Sequence, residues 1–146
     1  GNALINDWIK KHTGQDYDEN GARAEQGRVD EVLVTAWLAN PYFEKMPPKS
    51  LDRDQWDVSK LEGESVNDGA ATLSAFTVMA VQRALKHLPS APQAWYVTGG
   101  GRHNPVLMKG LQQALHVSVR GVEDLGWNGD ALEAQGFAYL AVRSLL

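Results

Sequence analysis

The sequence contains no cysteine among its 146 residues. Disulfide bonds, thiolate metal sites and a cysteine nucleophile are therefore excluded, and the composition is compatible with a reducing cytoplasm, where we expect the protein to be located. No apolar run reaches the roughly 20 residues of a membrane-spanning helix, and no charged-then-apolar leader opens the chain, so no membrane partner is expected. The net charge of −4 argues against a general polyanion binder, so we expect no nucleic-acid partner.

Recognisable catalytic motifs are also missing. The sequence has no glycine-rich phosphate loop ending in Lys-Ser/Thr, no Gly-x-Ser-x-Gly elbow and no His-Glu-x-x-His metal motif. No side chain stands out as a general base that could activate water or a hydroxyl. We therefore assign no catalytic residue and no metal ligand from the sequence.

Apolar periodicity predicts a helix-rich chain. Helices are expected at residues 2–12, 18–26, 29–39, 70–88, 105–115 and 131–145. The spacing in the third helix directs one set of side chains to the core: Val32, Leu33, Ala36 and Trp37. The apolar face of the fourth is wide enough for burial on two sides, and residues 42–67 form a long connection that is expected to carry short helices.

The segment at residues 94–105 has the most informative pattern. An apolar run is predicted as a strand and stops at Gly99, Gly100 and Gly101. Asn104 then has the features of a helix N-cap and Pro105 those of the first helical residue. With a second strand at residues 117–122, this order predicts right-handed crossovers on a parallel sheet and an α/β fold with few strands. The glycines either make a plain crossover turn or let backbone N–H groups approach a nucleotide.

Four other side chains have two possible interpretations. Asp18 lies in a half-match to a calcium loop, residues 16–21, that fails at Gly27, where a bidentate glutamate is needed, so we expect Asp18 to cap a helix. Glu133 forms a capping box with Asp130 or contacts a sugar hydroxyl. Lys49, after two prolines, is expected to be a solvated surface lysine, with a phosphate contact as the alternative. His103 is expected to be an exposed loop histidine, with a ligand contact as the alternative.

Several stretches, in order along nearly the whole chain, resemble the C-terminal part of the anhydro-N-acetylmuramic acid kinases. They include Gly-Gly-Gly-Arg-His-Asn-Pro at residues 99–105 and Leu-Gly-Trp-Asn-Gly-Asp-Ala-Leu-Glu-Ala-Gln at residues 125–135. The others lie at residues 1–8, 12–15, 27–29, 41–43, 47–50 and 68–73. Each stretch alone is a weak signal, but together they are specific.

The resemblance implies a sugar kinase of the actin, Hsp70 and hexokinase type, in which two RNase H-like lobes enclose a cleft for ATP and sugar. Such enzymes open 1,6-anhydro-N-acetylmuramic acid with water and phosphorylate it to N-acetylmuramic acid 6-phosphate in cell-wall recycling, using ATP and Mg²⁺. Residues 1–146 would then be a fragment of the C-terminal lobe. The N-terminal lobe, with the catalytic aspartate and the first phosphate loop, would be absent, and the second phosphate-binding turn would precede residue 1. The fragment alone is therefore expected to be inactive, and the family suggests a homodimer.

The resemblance also implies roles for individual residues. Gly99, Gly100 and Gly101 would lie along the nucleotide, with Arg102 and Asn104 nearby. In addition, Glu133 would help to hold the anhydro sugar, and Asn2 would end a glycine-rich turn that faces the cleft and contacts substrate. The alternatives are a sugar kinase for another substrate, a non-catalytic actin-like nucleotide-binding module, and a folded scaffold without a ligand.

Overall fold

A computed structural model describes residues 1–145 of the chain as a helix-rich α/β fold. In that range the helices are α1 Ala3–Thr13, α2 Ala22–Gln26, α3 Glu31–Leu38, α4 Val66–Arg83, α5 Pro105–Leu115 and α6 Leu132–Arg143, and the strands are β1 Ala94–Val97 and β2 Ser118–Gly121. As predicted, the long connection carries short 3₁₀ helices, at Pro41–Glu44, Arg53–Gln55 and Val58–Leu61. None of the helices described is both long and apolar enough to cross a membrane.

The central element of the fold is α4, which packs against α1, α2, α3 and α5. It begins four residues earlier than predicted because Ser65 caps it: the Ser65 hydroxyl accepts the Asp68 N–H at 3.0 Å. The prediction of burial on two sides is confirmed by the run of buried residues in its N-terminal half: Gly69, Ala70, Ala71, Thr72, Leu73, Ser74, Phe76 and Val78.

A glycine in α4 allows α1 to approach closely. The indole ring of Trp8 lies where a side chain at position 69 would be, so only glycine fits there. The Trp8 Nε1–H donates to the Val66 carbonyl at 2.9 Å, which fixes the ring across the start of α4. This contact positions the N-terminal end of α1, and therefore Asn2, relative to the centre of the fold.

The buried face of α3 differs from the prediction. Val32 and Ala36 were expected in the core, but both are exposed. The start of this helix is held against α4, because the Asp30 N–H donates to the Thr72 hydroxyl at 3.0 Å. That attachment turns a neighbouring set of apolar residues inward: Leu33, Val34, Trp37 and Leu38.

The two strands form a parallel sheet, with Ala94 opposite Ser118 and Val97 opposite Gly121. The parallel pairing confirms the predicted β-α-β unit, with α5 as its connection. The last helix, α6, buries none of its described residues, and Phe137, Tyr139 and Val142 are each more than half exposed. The finer prediction of an RNase H-like lobe stays a prediction.

Candidate functional site

The glycine turn follows the carboxyl end of β1. Gly99 has φ 73° and ψ 179°, a combination that is essentially restricted to glycine. A short 3₁₀ helix, Gly100–His103, leads to Asn104. The Asn104 Oδ1 accepts the N–H groups of Val106 at 3.0 Å and Leu107 at 3.3 Å, which confirms the predicted N-cap of α5.

Asn2 lies against this turn. A Cβ atom built on Gly100 would be 3.6 Å from the Asn2 Nδ2, and one on Gly101 would be 3.8 Å from its Oδ1. The Asn2 amide also donates to the Asn6 Oδ1 at 3.5 Å. The start of the chain and the glycine turn, about 100 residues apart, therefore form one surface.

A cavity of about 350 Å³ opens at this surface, and we call it the glycine-turn cavity. It brings together three of the predicted site residues, Asn2, Gly100 and Asn104. The complete lining is Asn2, Asn6, Tyr17, Asp18, Glu19, Asn20, Gly100, His103 and Asn104. Sequence reasoning did not connect residues 17–20 to the glycine turn. The only feature of the sequence that could have indicated a site at residues 17–20 was their acidic, turn-forming composition.

The acidic segment, residues 17–20, has a structural role that the sequence predicted. Both carboxylate oxygens of Asp18 accept backbone N–H groups of α2, from Arg23 and from Ala24, each at 3.0 Å. Asp18 is buried and caps this helix, as expected. Nowhere in residues 1–145 do three or more His, Asp or Glu side chains form a group that could hold a metal ion.

Arg102 does not line the glycine-turn cavity. Its side chain is only 5% exposed and donates to three acceptors, the Glu123 carboxylate at 2.8 Å, the Asp130 carboxylate at 2.9 Å and the Gly99 carbonyl at 2.9 Å. Hydrogen bonding to Asp130 raises the pKa of Arg102, and the same bond lowers the pKa of Asp130. A direct contact of Arg102 with nucleotide stays a prediction.

The predicted capping box before α6 is wrong. The cap of this turn is Asn128, whose Oδ1 accepts the N–H groups of Asp130 at 3.0 Å and Ala131 at 3.2 Å. Asp130 instead pairs with the buried guanidinium, a stronger donor than a backbone N–H. Glu133 is exposed in the first turn of α6 and lies outside the cavity lining. Its contact with a sugar stays a prediction.

Lys49 is half-buried, so the prediction of a solvated surface lysine is wrong. Its ammonium donates to the carbonyls of Tyr42 at 3.0 Å and Phe43 at 3.2 Å and lies 3.0 Å from the His87 Nε2. These contacts close the loop after the 3₁₀ helix Pro41–Glu44. His103, in contrast, is 67% exposed, as expected, and lines the edge of the cavity.

A strand, a glycine turn and a capped helix on a parallel sheet define an α/β protein with a cavity at the carboxyl end of a strand, where such folds bind ligands. The family model for anhydro-N-acetylmuramic acid kinase matches residues 1–146. The chain belongs to the anhydro-N-acetylmuramic acid kinase family.

Curated relatives agree with this assignment. The chain is 52% identical to the anhydro-N-acetylmuramic acid kinase of Rhizorhabdus wittichii, over 99% of the chain and 40% of the relative. For the proteins of the same name from Rhodospirillum rubrum and Paramagnetospirillum magneticum, identity is 50% and 51%, over 98% and 99% of the chain and 38% and 42% of the relative. The chain therefore spans about 40% of the length of these relatives.

Proposed function

We propose that this chain is part of an ATP-dependent kinase that opens 1,6-anhydro-N-acetylmuramic acid and phosphorylates it to N-acetylmuramic acid 6-phosphate in cell-wall recycling. Family membership supports the activity. The observation that carries the assignment of the nucleotide site is the glycine-turn cavity, in which Asn2, Gly100 and Asn104 meet. Residues 1–146 are then a fragment of a C-terminal lobe of RNase H-like type.

The chemistry of the cavity suits the nucleoside end of ATP. Its volume of about 350 Å³ is at the lower end of the range for ligand pockets, which suits part of a ligand. Asn2, which the resemblance assigns to substrate, lies in this cavity, and we therefore propose that it contacts the nucleotide. Carboxamides of Asn2, Asn6 and Asn20 supply both donors and acceptors for the heteroatoms of a base, and the Glu19 carboxylate can accept from ribose hydroxyls.

The triphosphate would lie outside the cavity. Asp18 and Glu19 line the cavity, and their negative charge disfavours phosphate there. The phosphates would instead follow Gly99, Gly100 and Gly101, where the backbone of the turn permits close approach. Arg102 would act on the phosphate path indirectly, because its hydrogen bond to the Gly99 carbonyl supports the glycine turn.

The described residues do not supply the whole reaction. Residues 1–145 hold no group of three or more His, Asp or Glu side chains that could bind Mg²⁺. The sequence offers no candidate for the base that activates water, so we propose that the base and the phosphate loops belong to residues outside this chain, with the base and the first loop in an N-terminal lobe. The 146-residue chain alone is then expected to be inactive, and measurable ATP turnover with the anhydro sugar would contradict this proposal. A cytoplasmic location and a homodimer stay predictions.

The test compares two variants of the full-length enzyme. Gly100→Ala adds a methyl group at the cavity wall at ordinary van der Waals distance from Asn2, so the fold tolerates it. We expect it to raise the KM for ATP about tenfold, a loss of about 1.4 kcal/mol, with little change in the KM for sugar. Glu133→Ala should show the opposite selectivity.

The control is Gly136→Ala in α6, where an added Cβ meets no atom within 4 Å, so both KM values should stay unchanged. Equal effects of Glu133→Ala on both substrates would contradict the sugar contact, and an unchanged KM for ATP in Gly100→Ala would contradict the nucleotide site. A panel of anhydro and reducing sugars identifies the substrate, and nucleotide binding without sugar phosphorylation would indicate a non-catalytic module.

A further inference from the structure

We propose that Arg102 and Asp130 are positioning residues that hold the first turn of α6, and therefore Glu133, in a fixed place relative to the glycine turn. This inference rests on the proposed function, in which the glycine turn contacts nucleotide and Glu133 contacts the sugar. It gives Arg102 a role that needs no contact with either ligand.

The first observation is that one buried guanidinium joins three separate segments. Arg102 donates to Gly99 in the glycine turn, to Glu123 in the 3₁₀ helix after β2, and to Asp130 in the turn before α6. Because the guanidinium is planar and rigid, its three acceptors are held at fixed angles to one another. The turn before α6 cannot shift without breaking the bond to Asp130.

The second observation is a backbone contact beside this network. The Gly129 carbonyl accepts the Thr98 hydroxyl at 3.0 Å and the Gly99 N–H at 3.2 Å. A Cβ at Gly129 would lie 2.5 Å from the Arg102 Nε and 2.6 Å from the Glu123 carboxylate. The segment before α6 is therefore seated directly on the glycine turn, with no space between them.

The third observation concerns the rest of α6, which buries none of its described residues. The bonds of Gly129 and Asp130 thus anchor this helix where it begins. Glu133 lies three residues after Asp130, within the first helical turn. Loss of the Arg102–Asp130 pair should therefore displace the Glu133 carboxylate while the backbone of the glycine turn keeps its other bonds.

The experiment is a double-mutant cycle in the full-length kinase, with the KM for the anhydro sugar as the readout. Asp130→Asn should raise this KM about fivefold when Glu133 is present and less than about twofold in the Glu133→Gln background, because Asp130 acts through Glu133. The KM for ATP should change less than about twofold. If Asp130→Asn does not fold, Arg102→Lys, which loses the planar fork, should likewise raise the sugar KM more when Glu133 is present than in the Glu133→Gln background.

The matched control is Asp124→Asn. Asp124 pairs with Arg120 at 3.6 Å on the surface and has no bond to Arg102, so its sugar KM should equal that of the wild type. Equal effects of Asp130→Asn in both backgrounds, or no effect, would overturn the inference. An unchanged sugar KM in Glu133→Gln alone would also overturn it. A wild-type enzyme that phosphorylates no anhydro sugar would instead refute the proposed function.

Discussion

Replacement of Gly69 by alanine tests the packing that places α1, and with it Asn2, beside the glycine turn. A Cβ at this position would lie 2.6 Å from the Trp8 Nε1 and closer still to the ring carbons Cε2 and Cζ2. The indole cannot simply move away, because it is buried and its Nε1–H is bonded to Val66 at 2.9 Å. The substitution must therefore displace either the ring or the helix.

The expected cost follows from three terms. Overpacking of a core costs about 1–3 kcal/mol, and loss of the indole hydrogen bond about 1 kcal/mol. In the opposite direction, alanine in place of glycine stabilises a helix by about 1 kcal/mol. The net expectation is that Gly69→Ala lowers the free energy of unfolding by about 2 kcal/mol.

Urea denaturation of the 146-residue chain, followed by tryptophan fluorescence, measures this change. Gly136→Ala is the matched control: its Cβ meets open space, so the helix should be stabilised by up to about 1 kcal/mol. In a Trp8→Leu background, which lacks all three clashing indole atoms, Gly69→Ala should cost less than about 1 kcal/mol. If its cost in the two backgrounds were equal, the clash with the indole would not be the cause.

Two further predictions concern single side chains. Asn104→Ala removes the acceptor of two N–H groups and should lower the free energy of unfolding in urea by about 1 kcal/mol. Asn104→Asp keeps the capping oxygen and should retain most of the wild-type stability. An alanine variant as stable as the wild type would disprove the capping role. The backbone N–H of Arg28, 2.6 Å from the Asp68 carboxylate, holds the pKa of that carboxyl below its usual value. A carboxyl whose pKa is lower in the folded state than in the unfolded state stabilises the fold at pH values above its unfolded pKa. This stabilisation is lost as the pH falls through the pKa of the folded state. Asp68→Asn should therefore flatten the decline of the urea midpoint below about pH 4. A decline as steep as in the wild type would contradict the bond.

Predictions that depend on neighbouring residues agree well with the structure. Asn104 and Pro105 start α5 as expected, and the Asp18 carboxylate caps α2 as expected. The reason is that a cap bonds to N–H or C=O groups only two to six residues away, so the sequence around it contains the whole interaction.

Predictions that depend on distant residues fail where the neighbouring sequence is compatible with two local arrangements. The apolar residues of α3 allow more than one inward face, and the bond from Asp30 to Thr72, 42 residues away, selects one of them. The turn before α6 offers a capping role to Asp130, but the buried Arg102 provides a stronger partner. Neither competitor can be identified from the neighbouring sequence.

The sequence by itself therefore determined the parallel β-α-β order, the glycine turn and the resemblance to a kinase family that the comparisons bear out. Only the tertiary structure placed Asn2 beside Gly100, added the acidic segment at residues 17–20 to the same cavity and directed Arg102 away from it. The physical reason is the distance along the chain over which each interaction acts. Hydrophobic periodicity and helix caps involve residues that are close in the sequence, whereas a cavity depends on the packing of helices that are far apart in the chain.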